Sequence, residues 1–160
     1  MGIVLSSKQV WGVLENNLFA VLGLVTANGE ARTVGIVYVV HERKLYIATS
    51  KNTWKARHIR GNPHVSLTVT IPKRIMFMPW IKIPAATITF SGIGTVLNPK
   101  DVVKDVLSSL LRGLETDTET IASMSVIEVQ PVGDFITYGV GIPMMAMRNP
   151  EKASGRAPVA

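Results

Sequence analysis

The 160-residue chain contains no cysteine, which removes disulfides, thiolate metal sites and cysteine nucleophiles from consideration. It has no uninterrupted run of eighteen apolar residues. The nearest stretch, 75–90, is cut by Pro79, Lys82 and Pro84, so no membrane-spanning helix is expected. A charged leader followed by an apolar core and a small-residue cleavage site is missing too, and a cytoplasmic setting is the expectation. Most telling is a missing sign of charge. From Arg43 to Lys100 there are ten Lys and Arg residues and no Asp or Glu, while the flanks carry all eleven acids. A one-sign stretch of this kind attracts an anionic ligand such as a phosphorylated cofactor or a nucleic acid, unless it is only a solvated basic face.

What is present fits a globular protein. A hydrophobic share of 47% beside 18% charged residues supports one domain with a real core. That domain is expected over 1–148, opening on a helix, with 149–160 as a flexible tail. Ser6 or Ser7 can cap a helix to about Glu15 with Val10, Val13 and Leu14 as its apolar stripe. The run 18–26 is short and β-branched and reads as a buried strand. Asn28-Gly29 then signals a hairpin, with 32–40 as the return strand. Further strands are expected at 45–49, 65–71, 85–97, 124–130 and 135–139, with Gly92 and Gly94 marking a bulge or bend. Asn98-Pro99 opens a helix to about Leu111. Hairpin-linked strands without strand–helix alternation argue for a mostly antiparallel barrel of six to seven strands with short helices.

The densest chemistry lies in Tyr46–Pro63. Thr49, Ser50 and Thr53 supply hydroxyls and Lys51 and Lys55 supply ammonium groups. A helix opens at Thr53, with Gly61 as its left-handed cap and Pro63 as its stop. A helix start leaves N–H groups unpaired and partly positive, so these parts make an anion site suited to phosphate. The bland alternative is a capped surface helix anchored by Trp54.

Other motifs carry less. Gly92-Ile-Gly94 lacks the third glycine of a dinucleotide loop. His41, His58 and His64 lack metal-ligand spacing, so no metal site is expected, and no side chain is singled out as catalytic. The segment 75–81, bulky and flanked by prolines, suits core packing, a subunit interface or a lid over a flat ligand.

Taken in order, Phe19–Arg32, Leu45–Ser50, Trp54-Lys55 and Asn62–Leu67 resemble the pyridoxamine 5'-phosphate oxidase-like FMN-binding split barrels, over about residues 15 to 140. The resemblance implies a homodimer with noncovalent FMN at the subunit interface, a small-molecule substrate and oxidoreductase chemistry. It implies that Thr49, Ser50 and Lys55 hold the phosphate, with Lys51, Thr53 and Trp54 nearby and Arg32 as a second cation. The backbone of Thr33, Val34 and Gly35 is implied along the flavin edge. The arginine-rich signatures of the vitamin-synthesising oxidases are not evident, and the insertion Pro72–Pro84 looks specific to this branch. A deazaflavin-dependent reductase of the same fold is the nearest alternative. A flavin-storing barrel and a barrel stacking single-stranded nucleic acid on Trp54, Phe77 and Trp80 rank below it. No membrane partner is expected.

Overall fold

In the computed structural model, residues 3–74, 77, 78, 80, 82–112 and 117–160 are described. In chain order the strands are β1 (Ile3–Val4), β2 (Phe19–Val25), β3 (Ala31–Val37), β4 (Val39–His41), β5 (Lys44–Ser50), β6 (His64–Ile71), β7 (Ala86–Leu97), β8 (Met124–Tyr138) and β9 (Ser154–Pro158). Between them lie the helices α1 (Ser7–Glu15), α2 (Trp54–Gly61), α3 (Lys104–Leu110), α4 (Thr118–Ala122) and α5 (Pro150–Ala153). Seven strands make the expected antiparallel wall, in the order β3-β2-β6-β7-β8-β5-β4. Alternate residues of each strand point inward. Leu22, Leu67, Ile88 and Ile127 are fully buried between the wall and α1, which seals the core with Val10, Trp11 and Leu14. Phe135 takes an edge-to-face contact from Trp11 and another from Phe90, each at a centroid distance of 5.3 Å.

Local chemistry explains most boundaries. Ser6 and Gln9 form a reciprocal capping box at the start of α1, with bonds of 3.2 and 2.9 Å. The β2–β3 turn uses three residues, where Asn-Gly most often signals a two-residue turn. Thr26 and Glu30 close it at 2.8 Å, and Gly29, at φ 79°, takes the left-handed position such a turn requires. At the β4–β5 turn the non-glycine pair Glu42 and Arg43 carries φ of 48° and 58°.

Several expectations are corrected. The return strand 32–40 is two strands: at Tyr38 the chain leaves β2, and β4 pairs with β5 instead. Tyr38 makes the corner by donating its hydroxyl to the Leu14 carbonyl at 2.9 Å. Gly61 lies within α2, and the helix ends at Asn62 in an extended conformation, so no left-handed glycine caps it. The irregularity in β7 falls between Thr89 and Ser91, whereas Gly92 and Gly94 answer to close packing. A β-carbon on Gly92 would sit 2.6 Å from a Val129 methyl. The helix after Asn98 is interrupted at Val102 and Val103 between a 3-10 turn (Pro99–Asp101) and α3. The two last strands expected are one, β8, running through Pro131 and Gly133.

The tail is the largest correction. Residues 154–158 form β9, which pairs antiparallel with β8 and parallel with β1, raising the count to nine strands in a mixed sheet. Its small residues concealed it from a hydrophobicity reading. What holds it is backbone pairing, the burial of Ala157 and Val159, and the Val159 carbonyl, which accepts from Trp11 Nε1 at 3.0 Å and Ser7 Oγ at 3.1 Å.

Candidate functional site

A cleft of about 470 Å³ opens between β3, β5, the start of α2 and the end of α3. That volume lies within the roughly 300–1,000 Å³ typical of small-molecule and cofactor sites. Its floor is apolar, from Ile36, Ile47 and Ala48, and its polar groups come from Lys55, Ser109 and Arg112. Gly35 faces it from β3, the terminal strand of the path. Half of an edge strand's N–H and C=O groups point away from its partner and remain open to a ligand. A β-carbon at 35 would press on the Phe19 ring at 3.1 Å, so the position favours glycine.

The turn between β5 and α2 is built from hydroxyls. Thr53 caps the helix, its Oγ1 accepting from the Ala56 N–H at 3.5 Å. Thr49, buried at the end of β5, meets Thr53 Oγ1 at 3.0 Å. These two hydroxyls therefore hold the turn in shape, while Ser50 is exposed at its tip. Lys55 is half-buried and lines the cleft. Tyr38 also lines it, and burial raises its phenol well above the ordinary tyrosine range, so it is a neutral wall.

The residues singled out from sequence divide among three places. Gly35 and Lys55 come together at the cleft. Arg32 and Trp54 line a separate recess of about 170 Å³ with His58, and Arg32 pairs with Glu30 at 3.6 Å on an exposed surface. Trp54 and His58 rings lie 6.2 Å apart, and His58 Nδ1 accepts from the Ala27 N–H at 3.3 Å, tying α2 to the β2–β3 turn. Lys51 turns to α4, where its Nζ donates to the Ala122 carbonyl at 3.3 Å. Thr33 and Val34 lie on β3 beside Gly35, exposed and half-buried.

Sequence reading missed Ser109, Leu110 and Arg112. Ser109 and Leu110 end α3 and Arg112 follows it, and no motif in this part of the sequence marks a ligand. Arg112 lies beyond Asp101 and Asp105, so a count of charge along the chain separated it from the basic stretch that the fold brings it to. Its φ of 52° marks the sharp turn that places it. Among the described residues, no group of three or more His, Asp or Glu could hold a metal ion.

The comparisons with known proteins agree with this fold. A family model described as Pyridoxamine 5'-phosphate oxidase matches residues 7–133. No curated protein matches the chain in sequence. Among solved structures, a candidate pyridoxamine 5'-phosphate oxidase from Listeria innocua superimposes with TM-score 0.60 at 16% identity, covering 78% of this chain and 92% of its own. An F420 reductase gives 0.55 at 20% identity, with 78% and 93% covered. The heme-storage protein HutZ from Vibrio cholerae gives 0.64 at 14% identity, with 83% and 94% covered. At these identities the structures establish a shared fold.

Proposed function

The chain belongs to the pyridoxamine 5'-phosphate oxidase family, and on that premise we propose that it is a flavoprotein oxidoreductase binding FMN noncovalently in the 470 Å³ cleft. The observation that carries this reading is the convergence of an open glycine edge, an apolar floor and two cations. Gly35 offers backbone groups to a polar ring rim, Ile36 and Ile47 offer a flat apolar surface, and Lys55 and Arg112 offer charge to an anionic end. When bound, the flavin supplies hydride or electron transfer. The chain's own part is to neutralise the phosphate with Lys55 and Arg112, keep water from the ring with apolar walls, and fix the turn through Thr49 and Thr53.

Heme fits this lining less well: no His, Cys or Met is among the described residues that form it, and the hydroxyl of its one tyrosine, Tyr38, is given to the Leu14 carbonyl. Arg32 borders the recess lined by Trp54 and His58, and Arg57 borders a second recess that His58 also lines. This favours a second reading, a deazaflavin, whose longer anionic tail would extend there. A homodimer completes the proposal. The cleft is open on one side, and Leu18 and Val37 at its rim are 55% and 43% exposed. A second copy would close it.

Purified protein incubated with FMN and passed through a desalting column tests the reading. Retention of the flavin's visible bands is expected; a colourless eluate sinks it. Retention of a deazaflavin's band in place of FMN's favours the second reading. Sedimentation velocity in the same samples checks the dimer.

A further inference from the structure

The loop between β6 and β7 carries the most exposed aromatic side chains of the described residues. Phe77 is 84% exposed and Trp80 is 74% exposed, with Met78 at 41%. Burying such groups is worth much to a protein, and leaving them in water asks for an occupant. The segment 72–84 also holds Lys73, Arg74 and Lys82 and no acid. Lys73 Nζ donates to the Ile142 carbonyl at 2.7 Å, which ties the loop to a second segment. That segment, 139–150, presents Met145 at 73% exposed and Arg148, again with no acid in its sequence.

We propose that this aromatic and cationic surface docks the protein on a membrane rich in anionic lipid. Trp and Phe settle at the boundary of headgroup and acyl chain, where an apolar ring and a polar surrounding meet. Lys and Arg around them are drawn to the negative surface potential. A second copy on the same patch would bring two surfaces without acids together and bury cations of one sign at one seam, which is less favourable than a surface of opposite charge. The proposal departs from the sequence expectation of no membrane partner, which rests on the lack of a spanning run; insertion of a few side chains needs no span. The inference stands independently of the flavin reading.

Co-sedimentation of the full chain with vesicles of equal parts phosphatidylglycerol and phosphatidylcholine, against phosphatidylcholine alone, tests it. Binding is expected only to the anionic vesicles, with a blue shift and brominated-lipid quenching of Trp80. Trp11 is buried and Trp54 partly so, which leaves Trp80 as the reporter. Arg74→Gln with Lys82→Gln is expected to weaken binding about thirtyfold, and Phe77→Ser with Trp80→Ser to abolish it while thermal melts stay unchanged. Failure to sediment overturns the proposal, as does equal binding by either double variant. A wild-type dimer that Phe77→Ser with Trp80→Ser turns into monomer also overturns it, by showing that a second copy covers the patch.

Discussion

Lys51 and Lys55 look equivalent in sequence and are not equivalent in space, which gives the cleft its sharpest test. Lys55 lines the cleft, is half-buried, and takes part in no salt bridge among the described residues. Its charge is therefore free for a ligand. Lys51 is exposed, and its ammonium leans on the Ala122 carbonyl beside α4. A charge-assisted hydrogen bond contributes about 1.5–3 kcal/mol. Because the cleft is open to solvent, the lower part of that range applies, about 1.5–2 kcal/mol. Lys55→Ala is then expected to raise the Kd for FMN about ten- to thirtyfold. Lys51→Ala should change it by less than about threefold, the residue of screened long-range attraction. Titration by quenching of flavin fluorescence reads both, and repeating it at high salt should shrink the small effect more than the large one. Equal losses, or a larger loss from Lys51, would refute the placement of the phosphate at the cleft.

Other expectations bear on the scaffold. Gly92→Ala should destabilise the protein by about 1–3 kcal/mol, since the new β-carbon meets Val129 at 2.6 Å and the Gln130 carbonyl at 3.1 Å. Gly12→Ala, in the middle of α1 with open space around it, should stabilise it by up to about 1 kcal/mol; thermal melts of the pair check both signs. Removing residues 154–160 strands the buried Trp11 indole N–H, which alone is expected to cost about 1–3 kcal/mol, read as a lower midpoint in urea. Burial, reinforced by a hydrogen bond to Glu128 at 2.9 Å, pushes Tyr46 up to about 12. A raised folded pKa means this contribution is whole below the unfolded value near 10 and is lost as pH climbs through the folded one. Stability should therefore fall from about pH 10 to 12, and a tyrosinate absorbance titration of folded protein at pH 11 should leave Tyr46 and Tyr38 un-ionised.

What could be read from sequence was what local chemistry decides alone. A serine at 6 or 7 before α1, Thr53 before α2 and the glycine of the Asn28-Gly29 turn each find their hydrogen-bond partners or dihedral freedom within a few residues, and each stands where expected. Apolar strands placed the wall and, with the ordered motifs, the family. Failures came where distant residues decide. Nothing near Tyr38 in sequence announces that the chain must change partners there, because the reason is the Leu14 carbonyl. Ser154–Pro158 looks mobile until β8 and β1 are set beside it. The candidate site divides along the same line. Gly35 and Lys55 were legible as residue types. Arg112 and the diversion of Lys51 depend on how α3 and α4 fold over the wall.

The dependence of α1 on residue 159 has a consequence for biosynthesis. Ser7 and Trp11 direct their donors to a carbonyl about 150 positions later, and among the described residues β1 has no strand partner but β9. As the polypeptide leaves the ribosome, the first elements made are among the last completed. Until residue 159 has emerged, the indole N–H lacks its acceptor and one edge of β8 stays open. Such long-range closure slows folding, and in the interval the nascent chain offers an unpaired strand edge. Released full-length chains and chains ending before residue 154 should therefore differ sharply in protease resistance near Trp11.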